Sequence, residues 1–448
     1  MNPYTGTSTL ASVLRVSARI SGWQPTLSFF GDGFHALTTA AVRHQHVETQ
    51  VPNLAGCDTL EPWPSAGEPI QEATTPPSSW YLSPLVAHLE HRTVFQQSWQ
   101  AVGHLGQVSD PGSFFTGSLL NMGYLVCRGQ DGILRAFHNV CRHHAAPVAC
   151  QAGRTERFVC PYHGWTYGLD GGLQKATRLK GIKNFRAADM GLVPIQVDTW
   201  GQLIFLHFGA ATETTAHREA GQLLSLRDWL GRGGEAMQAC GMADQLQHVA
   251  TRTYDLNCNW KVFCDNYLDG GYHVPFAHKS LASGLDIGTY SSMLHERVSI
   301  QSCKPATQKA SGGTARLGNR DAAYAFVYPN LMINRYGPWM DTNLVTPLAV
   351  DRCRVVFDYL IDPAQAADTE YIQHSLQASD EVQQEDIQLC EGVQRGLTSP
   401  AYDVGRYAPG VEQPMFHFHQ MLHRDLSSTC PRRPSPQAGA AGCKTVSV

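Results

Sequence analysis

The chain has 448 residues, 43% of them hydrophobic, which is enough for two ordinary domains with their own cores. A formal net charge of −4 argues against a nucleic-acid partner, and no run approaches the roughly twenty apolar residues of a membrane span. Thirteen cysteines follow no framework spacing and an odd number cannot all pair internally, so a reducing compartment is expected.

Residues 1–31 hold Arg15, Arg19, nine Ser or Thr residues and no carboxylate before Asp32, the composition of an organellar transit peptide; an ordinary disordered tail is the alternative. Pro52, Pro62, Pro64, Pro69, Pro76 and Pro77 mark a linker that cannot hold a helix. Residues 1–77 are therefore expected to be transit peptide and disordered linker, with order beginning near Trp80. Residues 78–97 are expected to pack on the catalytic domain. Across residues 98–209, strand-like runs such as GYLVCRG, LRAFHNV and QLIFLHFG alternate with Gly-rich turns, which predicts an all-β domain. Residues 215–425 mix strands such as CRVVFDYLID with helical segments and predict an antiparallel sheet plus helices, so the fold class is α+β. Residues 426–448 are small and polar enough to be a disordered tail.

The chemistry begins with two Cys-His pairs, Cys141 with His143 and Cys160 with His163, separated by sixteen residues. Two thiolates can hold one iron of a 2Fe-2S cluster while two neutral imidazoles hold the other, so each pair brings one sulfur and one nitrogen. This is the pattern of a Rieske centre. A zinc knuckle and an accidental grouping of thiols and surface histidines are the competing readings. The PYHGW context favours Rieske, because Pro161 and Gly164 suit tight turns that bring backbone N–H groups toward the sulfurs. Cys150 and His144 read as structural.

A second constellation lies in CNWKVFCDNYLDGGYHVPFAHK, where His273 and His278 follow Asp265 and Asp269. Two imidazoles and one carboxylate on one face of an iron leave positions open for dioxygen and substrate, as in non-haem Fe(II) oxygenases. The third ligand must come from elsewhere. The helical stretch SLQASDEVQQEDIQLCEGVQRGL offers Asp380, Glu381, Glu385, Asp386 and Glu391, most of which a helix would leave solvated.

With these motifs the chain resembles the Rieske-type non-haem iron oxygenases, and within them the plant branch that oxidises choline. The resemblance is carried by VCPYHGW (Val159–Trp165), GLVPIQVDTWG (Gly191–Gly201), CNWKVFCDNYLDGGYHVPFAHK (Cys258–Lys279), AYAFVYPNLMINRYGPWM (Ala323–Met340) and QQEDIQLCEGVQRGLTSPAY (Gln383–Tyr402). It spans about residues 78–425. It implies cluster ligands Cys141, His143, Cys160 and His163, mononuclear iron ligands His273, His278 and Asp386, and a carboxylate linking the two centres. That bridge usually sits three residues before the first histidine. Here that position is Gly270, and Asp269, four before, is expected to take the role because both share a helix face. His144 also departs from the family, which commonly has arginine there.

The resemblance further implies an all-β Rieske domain followed by a mononuclear iron catalytic domain, and a homotrimer in which each cluster serves a neighbour's iron. It implies oxidation of choline to betaine aldehyde hydrate with O2 and reduced ferredoxin in the chloroplast stroma, with the mitochondrion or cytoplasm as alternatives. Neither nucleic acid nor a membrane is an expected partner. Recognition of a quaternary ammonium calls for aromatic faces, and Tyr272, Phe276, Tyr336 and Trp339 are candidates. A carboxylated substrate, as in glycine betaine demethylation or carnitine cleavage, would call for a basic anchor such as Arg297 or Arg335. An iron-sulfur electron carrier without oxygenase activity is the remaining alternative, and it would have no use for the second constellation.

Overall fold

In the computed structural model the described residues are 60–209, 224–306 and 320–428. The expected transit segment, residues 1–59, and the tail from residue 429 lie outside them. The chain enters as an extended strap. Its prolines exclude neither burial nor a short helix, since Pro64 opens a 3-10 turn over Pro64–Gly67, and the expected disordered linker is ordered from Leu60. Trp63 is buried, with its ring edge-on to Trp80, Phe416 and His419, while its Nε1–H donates to the Thr74 carbonyl at 2.8 Å. Thr74 in turn forms a bridge with Arg406. Helices α1 (Ser79–Leu82) and α2 (Pro84–Glu90) follow.

Ten strands come next: β1 (Gln100–His104), β2 (Ser113–Leu119), β3 (Met122–Arg128), β4 (Leu134–His138), β5 (Ala152–Arg154), β6 (Arg157–Val159), β7 (Thr166–Gly168), β8 (Leu173–Lys175), β9 (Pro194–Trp200) and β10 (Leu203–His207). They form one sheet in the order β1-β10-β9-β4-β3-β2-β5 and a smaller one in the order β6-β7-β8. Successive side chains of a strand face opposite ways, and β3 shows what that does. Tyr124 and Val126 enter the large core of the molecule. Leu125 and Cys127 enter a separate core with Phe158, Trp165 and Tyr167, and the sulfurs of Cys141 and Cys160 are buried there.

The second half contains α3 (Leu226–Ala239), β11 (Gln247–Leu256), α4 (Trp260–Leu268), α5 (Val274–Ala277), α6 (Lys279–Ala282), β12 (Leu285–Leu294), β13 (Val298–Pro305), β14 (Ala322–Val327), β15 (Leu331–Tyr336), β16 (Trp339–Ala349), β17 (Arg352–Ile361), α7 (Thr369–Leu397) and α8 (Gln413–Ser427). Its strands make one antiparallel sheet in the order β11-β17-β16-β15-β14-β13-β12. The register aligns Gln301, Tyr324, Asn334, Asp341 and Tyr359 as a cross-strand row over β13 to β17. Directly opposed residues share a face, so this row points one way. Helices α4 and α7 meet it there: Tyr267 of α4 donates to Asn334 at 2.8 Å, and the Ser379 hydroxyl of α7 lies 3.1 Å from the Tyr359 hydroxyl.

Helix α4 is anchored by charge. Asn259 caps it by accepting from Lys261 N–H at 3.0 Å. Lys261 pairs with Glu90 of α2 at 2.5 Å with both side chains at most 2% exposed, and Trp260 Nε1–H donates to the other Glu90 oxygen at 2.8 Å. On the same helix Asp265 accepts from the Tyr81 hydroxyl at 2.7 Å and meets His419 Nε2 at 2.9 Å. Residues 78–97 thus pack against the catalytic half. Removing one member of a buried ion pair leaves the other charge uncompensated. Glu90→Ala is therefore expected to lower stability by about 3–5 kcal/mol, read as a shift of the urea midpoint at unchanged slope.

Candidate metal centres

The two candidate cluster loops are short connections, the first between β4 and β5 of the seven-stranded sheet and the second within the small sheet. The first follows β4 and is closed by Cys141 N–H donating to Ala146 O at 2.8 Å; the second joins β6 to β7 and is closed by Cys160 N–H donating to Trp165 O at 2.8 Å and Gly164 N–H to Cys160 O at 3.0 Å. Both sulfurs are buried, and the Tyr167 hydroxyl lies 3.2 Å from Cys141 Sγ. His143 and His163 are exposed at the tip, with their Nδ1 atoms 3.1 Å apart. Two ligands about 2.1 Å from a common metal are about 3 Å apart when at right angles and somewhat farther apart in a tetrahedron, so the two imidazoles can hold one iron. The four ligand atoms do not gather within 4.8 Å as two such sets do elsewhere among the described residues. That suits a two-iron cluster with separate sulfur and nitrogen ends better than a single zinc. Desolvation, then the neighbouring His144 and His163, lower the His143 pKa and favour the neutral ring a ligand requires.

The second set is built where α4 stops. Gly270 and Gly271 both have φ +73, a conformation that favours glycine. A Cβ on Gly270 would come within 2.2 Å of Val411 O, and one on Gly271 within 2.6 Å of the Tyr290 ring. The chain therefore leaves the helix at Asp269, and the shared helix face expected for Asp269 and His273 is replaced by a turn. Asp269 still reaches its target. Its Oδ2 accepts from His273 N–H at 2.9 Å and lies 2.7 Å from His273 Nδ1, while Oδ1 accepts from Tyr272 N–H at 3.1 Å. Asp265 is engaged with Tyr81 and His419 instead.

His273 and His278 flank α5, and their Nε2 atoms are 3.2 Å apart. Asp386 Oδ1, from α7, lies 3.0 Å from His278 Nε2 and 3.6 Å from His273 Nε2. These separations fit three neighbouring positions around one ion at ordinary bond lengths. The other ring nitrogen of each histidine meets a carboxylate, which fixes its tautomer: His273 Nδ1 on Asp269, and His278 Nδ1 on Glu385 Oε2 at 2.7 Å. Burial lowers the His278 pKa, but hydrogen bonding and charge from Asp386, then Glu385, outweigh it and raise the net value. The other three candidate acids of α7 are occupied elsewhere. Asp380 accepts from Tyr254, Glu381 from Gln377, and Glu391 from the Asn257 backbone and side chain.

Above this triad a cavity of about 150 Å³ lies between the sheet face and helices α4 and α7. Its walls include Phe263, Tyr267, Tyr290, Tyr324, Tyr336 and Phe357. Burial raises the Tyr267 and Tyr290 hydroxyls well above their ordinary range, so both are neutral phenols. No Lys or Arg is among the described lining residues. Arg335 is buried elsewhere, donating to the Gly241, Gly337 and Trp339 carbonyls and to Asp362, and Arg297 pairs with Glu296.

Two family models match the chain, the Rieske [2Fe-2S] domain over residues 98–186 and the ring hydroxylating alpha subunit (catalytic domain) over 243–428. Choline monooxygenase, chloroplastic, of Arabidopsis thaliana is 52% identical over 80% of this chain and 84% of its own length. The protein of the same name from Spinacia oleracea is 42% identical over 80% of each. The chain belongs to the choline monooxygenase family. The carnitine monooxygenase oxygenase subunit of Escherichia coli (strain K12) is more distant, 28% identical over 79% of this chain and 94% of its own. A solved quaternary ammonium Rieske monooxygenase superposes with a TM-score of 0.72 at 24% identity, covering 82% of this chain and 99% of that one, and shares the fold. As a Rieske oxygenase the protein is an oxidoreductase that uses a 2Fe-2S cluster and a mononuclear iron. No helix among the described residues is long and apolar enough to cross a membrane.

Of the four aromatics expected to meet an ammonium in this family member, Tyr336 alone lines the cavity. Tyr272 and Phe276 are exposed, and Trp339 is buried behind the wall with its Nε1–H on the Tyr371 hydroxyl at 3.2 Å. Sequence reasoning missed Tyr267, Tyr290, Tyr324, Asp341, Gln383 and the partnership of Glu385 with His278. The one sequence signal was the presence of polar residues beside apolar ones in two strand-like runs, Asn334 in LMINRY and Asp341 and Asn343 in WMDTN. Asp386→Ala is expected to abolish mononuclear iron binding and turnover while the visible absorption of the cluster is unchanged; iron analysis beside the absorption spectrum tests this.

Proposed function

We propose that the protein oxidises choline to betaine aldehyde hydrate with O2 and reduced ferredoxin, acting as a homotrimer in the chloroplast stroma. The observation that carries the substrate is the cavity itself: aromatic walls, buried carboxylates and no Lys or Arg among the described lining residues, opening onto His273, His278 and Asp386. A quaternary ammonium has no hydrogen-bond donor, and aromatic faces hold it by cation-π attraction. Carnitine and glycine betaine carry a carboxylate that this lining does not meet, since Arg335 and Arg297 are committed elsewhere. An electron carrier would leave the converging triad without purpose.

In this reading Cys141, Cys160, His143 and His163 hold the cluster, and His273, His278 and Asp386 the mononuclear iron. Two electrons and two protons join choline and O2 to give the aldehyde hydrate and water. When bound, the cluster supplies electrons one at a time and the iron supplies oxygen activation. The chain's own part is positional. Asp269 and Glu385 keep each Nδ1 protonated so that both Nε2 lone pairs face the iron. The cavity walls exclude water and hold the ammonium so that the carbinol carbon faces the triad.

Asp269 is proposed as the bridge to a neighbouring subunit's cluster, because it is the carboxylate on His273. The homotrimer draws support from exposed apolar side chains at both ends of that path: Val140, Val159 and Tyr162 near the cluster, and Tyr272 and Phe276 near the iron ligands. Product analysis of the iron-loaded full chain with reduced ferredoxin, O2 and choline, betaine or carnitine tests the substrate. Betaine aldehyde from choline alone is expected, and aldehyde released from another amine with none from choline would overturn it. Asp269→Asn is expected to keep both metals and to slow reoxidation of the reduced cluster at least tenfold in single turnover; normal rates would remove Asp269 from the path.

A further inference from the structure

Two polar groups in the cavity have no role in holding the iron. Asp341 stands in the cross-strand row on the sheet face, 3% exposed, and accepts from the Tyr336 hydroxyl at 2.6 Å, Asn334 Nδ2 at 2.6 Å and Asn343 Nδ2 at 2.9 Å. All three donors are neutral. Both carboxyl oxygens accept, Oδ1 from Tyr336 and Oδ2 from the two asparagines, the pattern of an acceptor-only group in the cavity lining. Gln383 is also 3% exposed, and its Nε2 has no hydrogen-bond partner among the described residues although it lines the cavity. A buried donor kept unpaired in a cavity wall is a place prepared for an acceptor.

Their order along the cavity follows from α7. Gln383 is one turn before Asp386 and shares its face. Ser379, which meets the Tyr359 hydroxyl, is two turns before Asp386, roughly 10 Å of helix rise. Tyr359 is the cross-strand neighbour of Asp341. The Asp341 end of the cavity is thus set away from the triad, and Gln383 lies toward it.

Building on the choline reading of this site, we propose that Asp341 and Gln383 read the two ends of a hydroxyalkyl ammonium. Asp341 supplies the countercharge for the ammonium and Gln383 donates to the hydroxyl oxygen. With both contacts made, the carbinol carbon turns toward His273, His278 and Asp386. A carboxylated ammonium instead brings another negative charge into a space already lined by Asp269, Asp341 and Asp386.

The test compares choline with two analogues of nearly the same shape, 3,3-dimethylbutan-1-ol, which lacks the charge, and ethyltrimethylammonium, which lacks the hydroxyl. Apparent affinities are measured by turnover or competition on the iron-loaded wild type, Asp341→Asn and Gln383→Leu, each first checked for cluster absorption and iron content. Asp341→Asn is expected to reduce the preference for choline over the neutral alcohol by about tenfold or more while keeping the preference over ethyltrimethylammonium. Gln383→Leu is expected to do the reverse. Unchanged ratios in loaded variants overturn the proposal. If either variant loses its metals, the wild type decides: equal affinity for choline and the neutral alcohol, or for choline and ethyltrimethylammonium, overturns it, and a preference for choline over both supports it. Choline oxidation by the wild type with unchanged variant ratios removes the roles of Asp341 and Gln383 alone, whereas no choline oxidation by the wild type removes the reading beneath them as well.

Discussion

Asp269 accepts three hydrogen bonds from the few residues that follow it, two from backbone N–H groups and one from the His273 ring. The glycines after it release the chain from α4 and these bonds turn it back. That places His273 in one tautomer and sets the start of α5, whose far end presents His278 to α7. The separations among the three ligand atoms follow from this turn and from the packing of α4 against α7. The frame is fixed from below as well, because α4 is tied to α2 through the Lys261–Glu90 pair and to α1 and α8 through Asp265, Tyr81 and His419.

The two halves use opposite strategies for their metals. The Rieske half buries Cys141 and Cys160 in a small apolar core and leaves His143 and His163 at the surface. The catalytic half sets His278 and Asp269 inside and reserves a cavity for an organic molecule. Where they join, the rings of His104 from β1 and His248 from β11 stack at 4.5 Å, and His248 Nε2 meets Asp358 Oδ1 at 3.1 Å. That polar junction lets two domains of different character pack without burying an unpaired charge.

The pairing of Cys141 with His143, Cys160 with His163, and His273 with His278 was legible because it is local: a few residues of spacing determine whether two side chains can meet one ion. The runs GYLVCRG, LRAFHNV, QLIFLHFG and CRVVFDYLID likewise declared β3, β4, β10 and β17 by composition alone. Asp386 could be drawn from its helix only through the family resemblance, since Asp380 and Glu391 sit on the same helix and are distinguished by contacts from β11 and the loop after it. Asp341 was hidden for a different reason. Its environment comes from register across β15, β16 and β17, and a strand sequence carries its alternation but not its partners. Trp63 and Ala73, both buried, were hidden by their prolines, which suggest an unpacked linker yet leave the chain free to turn and bury side chains.

The strap decides where the folded unit starts. Trp63 is wedged among residues of α1 and α8, and Thr74 and Thr75 are bonded to the chain near Arg406. Without this segment a hole would open beside His419, and the Asp265 network on the helix leading to His273 and His278 would loosen. The strap is therefore part of the folded unit, whose packing begins before α1.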